Sequence, residues 1–407
     1  MLNLPPCTVS EACESRLRAG QLHVFDTDVQ TAPNAENGDL CVVCSEKGRY
    51  LGTGFYNDAS KLKVQLVSRN ANDAINTEFW QRRVRYALSF RKTVFPEEED
   101  FRACRLIFGD SDGFPGLTVD RFSDVLVSEV LSAGMERCKD IVYEALIREL
   151  RNAGETVSSL YERNDNPLRE LEGLPRYEAF YQGEGLTGNS EGCVLISENG
   201  LRYYVDYLHG QKTGFFLDQK LNRRAIRPVS RGKRVLDCFT HTGSFALNAL
   251  AAGAESAHAV DISEDAVSMT KRNAELNGFS DRMTFTCADV FDFLDELDAR
   301  KQRMFDLIVL DPPAFTKSSK TVNGAYGGYR EINRKAMKIL PRGGFLATAS
   351  CSHYMPEDLF CRLLREAAFD ANVTLKLIES RKQSPDHPIL WNVPETQYLK
   401  FFLFQIV

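Results

Sequence analysis

The chain has 407 residues, 43% of them apolar, which is enough for two or three domains with substantial cores. It has no run of about 18 apolar residues, so no membrane-spanning helix is expected. The formal net charge of −6 argues against a protein that coats nucleic acid through an overall basic surface. The start, Met1-Leu-Asn-Leu-Pro-Pro, lacks a basic region followed by an apolar core, and the eleven cysteines form no regular framework. A cytoplasmic protein with reduced thiols is therefore expected.

Residues 40–68 show short alternating runs broken by Gly48, Gly52 and Gly54, the pattern of a small β-rich module. Cys41-Val-Val-Cys44, with Cys7 and Cys13, has the composition of a four-cysteine metal site. Residues three apart on a strand face opposite ways, however, so no metal site is expected. Residues 47–92 hold ten basic and three acidic side chains, interleaved with Tyr50, Phe55, Tyr56, Phe79, Trp80, Tyr86 and Phe90. Such a stretch suits phosphate contacts and base stacking, or equally a solvated face over core aromatics. A helix is expected over 77–92, then a polar break at Pro96-Glu-Glu-Glu-Asp100. A middle segment follows, with strands near 104–109 and 117–120, a helix over 135–150 and strands at 158–163 and 194–197. That order predicts a small α+β domain of two strands, a helix and two strands.

Gly210-Gln-Lys-Thr-Gly-Phe215-Phe-Leu-Asp218-Gln219-Lys-Leu-Asn-Arg-Arg224 is polar and glycine-bearing, unlike a routine core helix. It reads as a lid over a cofactor, with Phe215 against an adenine and Asp218 or Gln219 near the opposite end, or as a linker. Arg234-Val-Leu-Asp237-Cys-Phe239-Thr-His-Thr-Gly243-Ser244-Phe then reads as strand, tight loop and helix start. In an α/β sheet this is where a nucleotide-like cofactor sits. A dinucleotide loop needs several glycines for backbone to approach the pyrophosphate, and only Gly243 is present. An acid at the strand tip repels a diphosphate but suits the amino group and sulfonium of S-adenosylmethionine. Asp237, Phe239, Gly243 and Ser244 are the candidate cofactor residues here.

Three more strands end in acids. Asp261 follows a strand at 256–260 and can accept from both hydroxyls of a ribose. Asp289 follows 283–288 and is placed to meet an adenine amino group. The strand at 305–310 runs into Asp311-Pro312-Pro313-Ala-Phe315. Single strand-end aspartates are often helix caps, but four in succession beside a proline pair form a more specific pattern. Helices are expected at 264–276, 290–297, 332–340 and 356–369, and further strands at 344–350, 375–379 and 399–405. Strands alternating with helices imply a mostly parallel sheet covered on both faces.

Ser350-Cys351-Ser352 stands at the end of the fifth strand, bordering the same cleft as Asp311. Cys351 is either a small buried hydrophobe or a nucleophile. As a nucleophile, its thiolate would add to carbon 6 of a pyrimidine and make carbon 5 able to accept a methyl group. Asp311 would bond ring nitrogen 3, Pro312 and Pro313 would fix its direction, and Phe315 would stack on a flipped base.

In Gly210-Gln-Lys-Thr-Gly-Phe-Phe-Leu-Asp-Gln219, Val235-Leu-Asp-Cys-Phe-Thr-His-Thr-Gly-Ser-Phe245, Asp311-Pro-Pro-Ala-Phe315 and Ser350-Cys-Ser352, the chain resembles a known family. These are the bacterial class I, S-adenosylmethionine-dependent 23S ribosomal RNA cytosine-5 methyltransferases of the large-subunit methyltransferase I type. The turn Gly109-Asp-Ser-Asp-Gly-Phe-Pro-Gly-Leu-Thr-Val-Asp-Arg121 is similar to the family's as well. The chain departs from it at Arg18-Ala-Gly-Gln-Leu-His-Val-Phe25, where the family usually carries Pro-Trp.

The resemblance implies an α/β protein: a C-terminal Rossmann-like class I methyltransferase sheet, a small N-terminal β-rich PUA-like domain and a central α+β domain. The expected boundaries are 1–72, 73–198 and 199–407. It implies S-adenosyl-L-methionine as cofactor, ribosomal RNA as partner and Cys351 as nucleophile. No metal and no membrane partner are expected, and a homodimer is open. Two other readings stay open: a guanine methyltransferase in which Cys351 is structural, and a non-catalytic RNA-binding assembly factor. A dehydrogenase fits the glycine-poor loop least.

Overall fold

The computed structural model describes residues 4–188, 192–301, 303–316 and 318–407. The chain divides into two compact units. The first comprises residues 1–194, 205–215 and 385–396; the second comprises 195–204, 216–384 and 397–407.

The first unit begins with a six-stranded sheet in the order His23–Phe25, Leu62–Ser68, Tyr50–Tyr56, Leu40–Ser45, Pro6–Val9, Val29–Thr31. Along Leu40–Ser45 alternate residues are buried, so Cys41 and Val43 point into the core with Cys7, Val9 and Cys13. Burial pushes the Cys7 thiol up to about 11 and that of Cys13 to about 12. These cysteines act as small core hydrophobes.

A second sheet follows in the order Tyr177–Phe180, Ser159–Asn164, Val125–Val130, Leu117–Phe122, Ala103–Phe108. Two helices cover it. Thr77–Val94 starts at Asn76, whose side chain accepts from Phe79 N, and Ala133–Asn152 starts at Ser132, which accepts from Met135 N. Trp80, Val84 and Leu146 pack on Leu106, Val119 and Leu126, and Phe55 and Val67 of the first sheet join this core.

This sheet has five strands, not the expected four, and it does not include 194–197. The strand Val125–Val130 follows Leu117–Phe122 after only Ser123 and Asp124, with Ser123 at φ 59. So short a turn leaves only Ser123-Asp124 as a polar break between the two runs. Cys193–Glu198 pairs instead with Leu201–Asp206 in a two-stranded hairpin divided between the two units.

The basic, aromatic stretch also resolves. Phe55, Tyr56, Phe79 and Trp80 are core, and Arg91 is fully buried against Asp112. Tyr86 and Phe90 alone of its aromatics are exposed.

The second unit is built on a seven-stranded sheet: β1 Arg234–Cys238, β2 Ser256–Asp261, β3 Met283–Cys287, β4 Leu307–Leu310, β5 Phe345–Ser350, β6 Leu375–Arg381 and β7 Lys400–Ile406. Its order is β3-β2-β1-β4-β5-β7-β6. The first five strands are parallel, and β7 is antiparallel to both β5 and β6. The central strands β1 and β4 are buried on both faces, which explains their unbroken apolar runs. The order reverses direction between β1 and β4, and a doubly wound sheet opens its ligand crevice at such a point. Among the described residues, no helix is long and apolar enough to cross a membrane.

Candidate active site

Because β3, β2, β1 and β4 are parallel neighbours, Asp289, Asp261, Asp237 and Asp311 lie along one edge of the sheet, at or just past the strand ends. Their environments differ. Asp237 is 1% exposed, and its Oδ2 accepts from Thr240 Oγ1 at 2.7 Å and Ala246 N at 3.0 Å. Burial nevertheless pushes its carboxyl up to about 7. Asp261 accepts from His241 N at 2.9 Å and Ser263 N at 3.1 Å. Asp289 is exposed and caps the helix Val290–Ala299 through Phe291 N.

The loop after β1 is held in an uncommon backbone. Phe239 has φ 61, His241 φ 52 and Gly243 φ 78. Left-handed residues other than glycine are costly and persist where surrounding contacts impose them. Here Thr240 N bonds Val260 O, and Thr270 Oγ1 bonds His241 O. A Cβ on Gly243 would stand 2.6 Å from Thr270 Cγ2, so the position admits only glycine without rearrangement. Ser244 opens the buried helix Ser244–Ala251, and Phe239 is half-buried against the sheet core.

The segment expected as a lid is instead a packed wall. Leu217–Gln219 makes a single turn leading into the helix Lys220–Ala225. Asp218, Gln219, Lys220, Asn222 and Arg223 are all buried. Arg223 makes a paired ion bridge to Glu198, both bonds 2.7 Å, which anchors the wall. Phe216 meets the His241 ring at 4.8 Å, while Phe215 is buried and belongs to the first unit.

Gln219 Nε2 donates to Asp311 Oδ1 at 2.8 Å, joining the wall to the β4 tip. Asp218 Oδ2 accepts from Tyr398 at 2.6 Å, but its Oδ1 is buried with no hydrogen-bond partner. Burial, then the nearby Asp218 charge, push the Asp311 carboxyl up to about 7. Two carboxyls this close, one with an unsatisfied buried oxygen, suit a cationic donor. With the Gly243 cradle, this donor set fits the ammonium and sulfonium of S-adenosylmethionine.

Cys351 follows β5 directly, beside the Asp311 loop. Ser352 Oγ donates to Thr316 O at 3.0 Å and so ties the two loops together. Pro312 is buried and Pro313 exposed; Phe315 is half-buried, its ring 4.5 Å from Tyr329. Burial pushes Tyr329 up to about 12.

Sequence reasoning missed Lys400, which is 3% exposed. Its Nζ donates to Ser352 O and Tyr398 O, both at 2.7 Å. Burial pulls its pKa down to about 8. A lysine at the head of a late strand carries no local signal, because its neighbour is set by the antiparallel pairing of Ser350 with Lys400. His241, Asn222 and Tyr398 were missed for the same reason.

The sequence profile of S-adenosylmethionine-dependent methyltransferases matches residues 109–405, and that of PUA-like domains matches 8–69. The chain is 38% identical to the ribosomal RNA large subunit methyltransferase I of Shewanella denitrificans, over 89% of each chain. It is 35% identical to the protein of the same name from Alteromonas mediterranea, over 97% of this chain and 96% of that one. In structure it resembles a Streptococcus mutans protein assigned to the SAM-dependent methyltransferases. The TM-score is 0.83 at 22% identity, covering 99% of this chain and 100% of that one. A second methyltransferase structure, complexed with SAH, matches at TM-score 0.83 and 21% identity. The chain belongs to the S-adenosylmethionine-dependent methyltransferases, and within them to the ribosomal RNA large subunit methyltransferase I family.

Proposed function

We propose that this enzyme methylates carbon 5 of a cytosine in large-subunit ribosomal RNA through a covalent adduct on Cys351. The observation that carries the reading is the placement of Cys351 at the β5 tip, tied through Ser352 and Thr316 to the Asp311-Pro-Pro loop at the neighbouring β4 tip. The relatives' names supply the RNA.

Phe215, Asp218, Gln219, Asp237, Phe239, Gly243, Ser244, Asp261, Asp289 and Asp311 are proposed to hold the cofactor. Asp261 takes the ribose hydroxyls and Asp289 the adenine edge, while Asp218 and Asp237 face the cationic end. Bound S-adenosylmethionine supplies an electrophilic methyl group.

The Cys351 thiolate adds to carbon 6 of the flipped cytosine, and the electron pair displaced from the 5,6 double bond makes carbon 5 nucleophilic. Carbon 5 takes the methyl, loses its proton to a base, and the carbon–sulfur bond breaks to restore the ring and the thiolate. Asp311 at ring nitrogen 3 stabilises the charge of the adduct; its raised pKa keeps it able to donate. Pro312, Pro313 and Phe315 bound the base.

We assign residues 1–72 as the PUA-like RNA-binding domain, 73–198 as the central α+β domain and 199–407 as the methyltransferase domain. A cytoplasmic location follows from the substrate, and a homodimer is tested by sedimentation.

The deciding experiment is nucleoside mass spectrometry on ribosomal RNA from cells lacking this gene, incubated with the protein and isotopically labelled S-adenosylmethionine. Label in 5-methylcytidine supports the reading. Label in a methylguanosine overturns the role of Cys351, and no label in free RNA or in ribosomal particles overturns the substrate.

A further inference from the structure

The chain has two tryptophans, and they lie in opposite settings. Trp80 is 1% exposed in the core of the first unit, whereas Trp391, in the segment 385–396 of the same unit, is 95% exposed. A large aromatic left in water forgoes the burial that Trp80 gains, so a fully exposed one points to an occupant.

The backbone beneath Trp391 is built to hold it there. Val393 N donates to Leu390 O at 2.9 Å, which puts Trp391 and Asn392 at the two central positions of a turn. Thr396 Oγ1 accepts from Leu390 N at 2.9 Å and donates to Val393 O at 2.7 Å, closing the base of the turn, and Val393 is buried. The turn sits on Gly20, which ends the helix Glu11–Ala19 of the PUA-like module. A Cβ on Gly20 would stand 2.6 Å from both Nδ2 and O of Asn392, at a φ of 126, so only glycine admits so close a seat.

The surroundings favour a nucleobase. Asn392, Pro394 and Glu395 beside the indole are exposed, and they supply no apolar patch of the size a protein partner buries. One indole face is enough for one stacked base, whatever its identity. A cation stands nearby: Gln21, the residue after Gly20, accepts at its carbonyl from Arg69 Nη2 at 2.7 Å. Arg69 is exposed, and among the described residues it pairs with no carboxylate. Arg16 and Arg18 of the same module are instead committed to Asp28 and Glu14. Glu395, the acid of this loop, lies near His23, which pairs with Asp110 at 2.9 Å.

We propose that Trp391 is a stacking platform for an unpaired base of the RNA substrate, with Arg69 as the neighbouring phosphate contact. It rests on the RNA reading above. A base is favoured over a protein partner because a single aromatic face beside an uncommitted guanidinium matches the two chemistries of one nucleotide, a flat ring and an anionic phosphodiester.

The test uses the full chain and its Trp391→Ala, Trp391→Phe and Arg69→Gln variants, with large-subunit ribosomal RNA from cells lacking this gene as probe. RNA should quench the wild-type tryptophan fluorescence saturably. Trp391→Ala, which keeps only the buried Trp80, should show no such quenching. Trp391→Ala should bind RNA about 10-fold more weakly, and Trp391→Phe should retain most of the affinity, since a phenyl ring still stacks. Arg69→Gln should flatten the log–log salt slope by about 1. S-adenosylmethionine affinity, measured by calorimetry, should be unchanged in all three.

Wild-type RNA affinity in Trp391→Ala overturns the platform and leaves the RNA reading standing. No RNA binding by the wild type overturns that reading, and the platform with it. Self-association in sedimentation that is lost in Trp391→Ala, with RNA affinity unaltered, assigns the indole to a second copy of the chain and overturns the proposal.

Discussion

The Lys400 ammonium donates to the carbonyl oxygen of Ser352 at 2.7 Å, so the last strand secures the peptide that follows Cys351. The titratable groups that interact with this thiol are Lys400 from β7 and the neutral Tyr329 from the helix Val322–Ile339, with Lys382 near Lys400. With a pKa pulled down to about 8, Lys400 is largely protonated at neutral pH and favours the thiolate. Lys400→Met should raise the pH midpoint of Cys351 alkylation by about 1 unit. Turnover should fall roughly 10- to 100-fold, with cofactor affinity kept. Lys400→Arg should recover part of the rate. An unchanged alkylation profile in Lys400→Met would show that the lysine only props the loop.

Cys351→Ala should reduce methyl transfer by at least about 10³-fold, since nothing then adds to carbon 6. RNA containing 5-fluorocytidine should trap a protein–RNA adduct on the wild type, because fluorine does not leave as a proton does. Intact mass spectrometry checks this. An adduct on Cys351→Ala would locate the nucleophile elsewhere.

Asp237 and Asp311 both titrate near 7 in the free protein, against an ordinary carboxyl value of 3.8. The folded state therefore binds more protons than the unfolded one between about pH 4 and 7, and stability falls as pH rises through that window. A cationic cofactor has the opposite preference at Asp237, for the ionised carboxylate, while Asp311 keeps its proton for ring nitrogen 3 of the base. Its affinity should rise from pH 6 to 8, with protons released on binding. Calorimetry in two buffers of different ionisation enthalpy measures the release. Affinity that is flat or falling with pH would contradict this assignment.

Gly243→Ala places a Cβ 2.6 Å from Thr270 Cγ2 at a φ of 78. The substitution should destabilise the protein by about 1–3 kcal/mol and weaken cofactor binding. Thermal unfolding with and without S-adenosylmethionine tests it. Gly278→Ala is the control: it has a similar φ of 71 with nothing within 4 Å of the added Cβ, so it isolates the backbone cost from the clash.

Much of the second unit was legible because its signals are local. The run Val235-Leu236-Asp237 is apolar up to an acid, and Gly243 marks the turn; both are properties of adjacent residues. The strands Ser256–Asp261 and Met283–Cys287 and the helix Glu264–Leu276 stand where the periodicity puts them. The helix Val322–Ile339 begins ten residues before its expected start. Its first turns, Val322-Asn-Gly-Ala-Tyr-Gly-Gly328, carry three glycines that lower helix propensity, yet Ala325 and Tyr329 are buried in the sheet core. Packing there overrides propensity.

In the wall at 217–223, polarity does not mean exposure. Asn222 Nδ2 donates to Gln219 Oε1 and Lys382 O, and Arg223 pairs with Glu198; those partners lie 3, 160 and 25 residues away. The aromatics of 47–92 show the converse. Phe79 and Trp80 read equally as stacking platforms or as core, and only the sheet beneath them settles which.

The order of residues was sufficient to establish the family, the alternation of strand and helix, and the acids and cysteine at the strand ends, because each depends on neighbours in the chain. Folding was needed to bring Lys400 to the Cys351 loop, to leave Asp218 Oδ1 unsatisfied, to set Gln219 on Asp311 and to seat the Trp391 turn on Gly20. Those relationships arise from strand order and register, which join distant segments, and from burial, which sets the charge each carboxyl and ammonium carries.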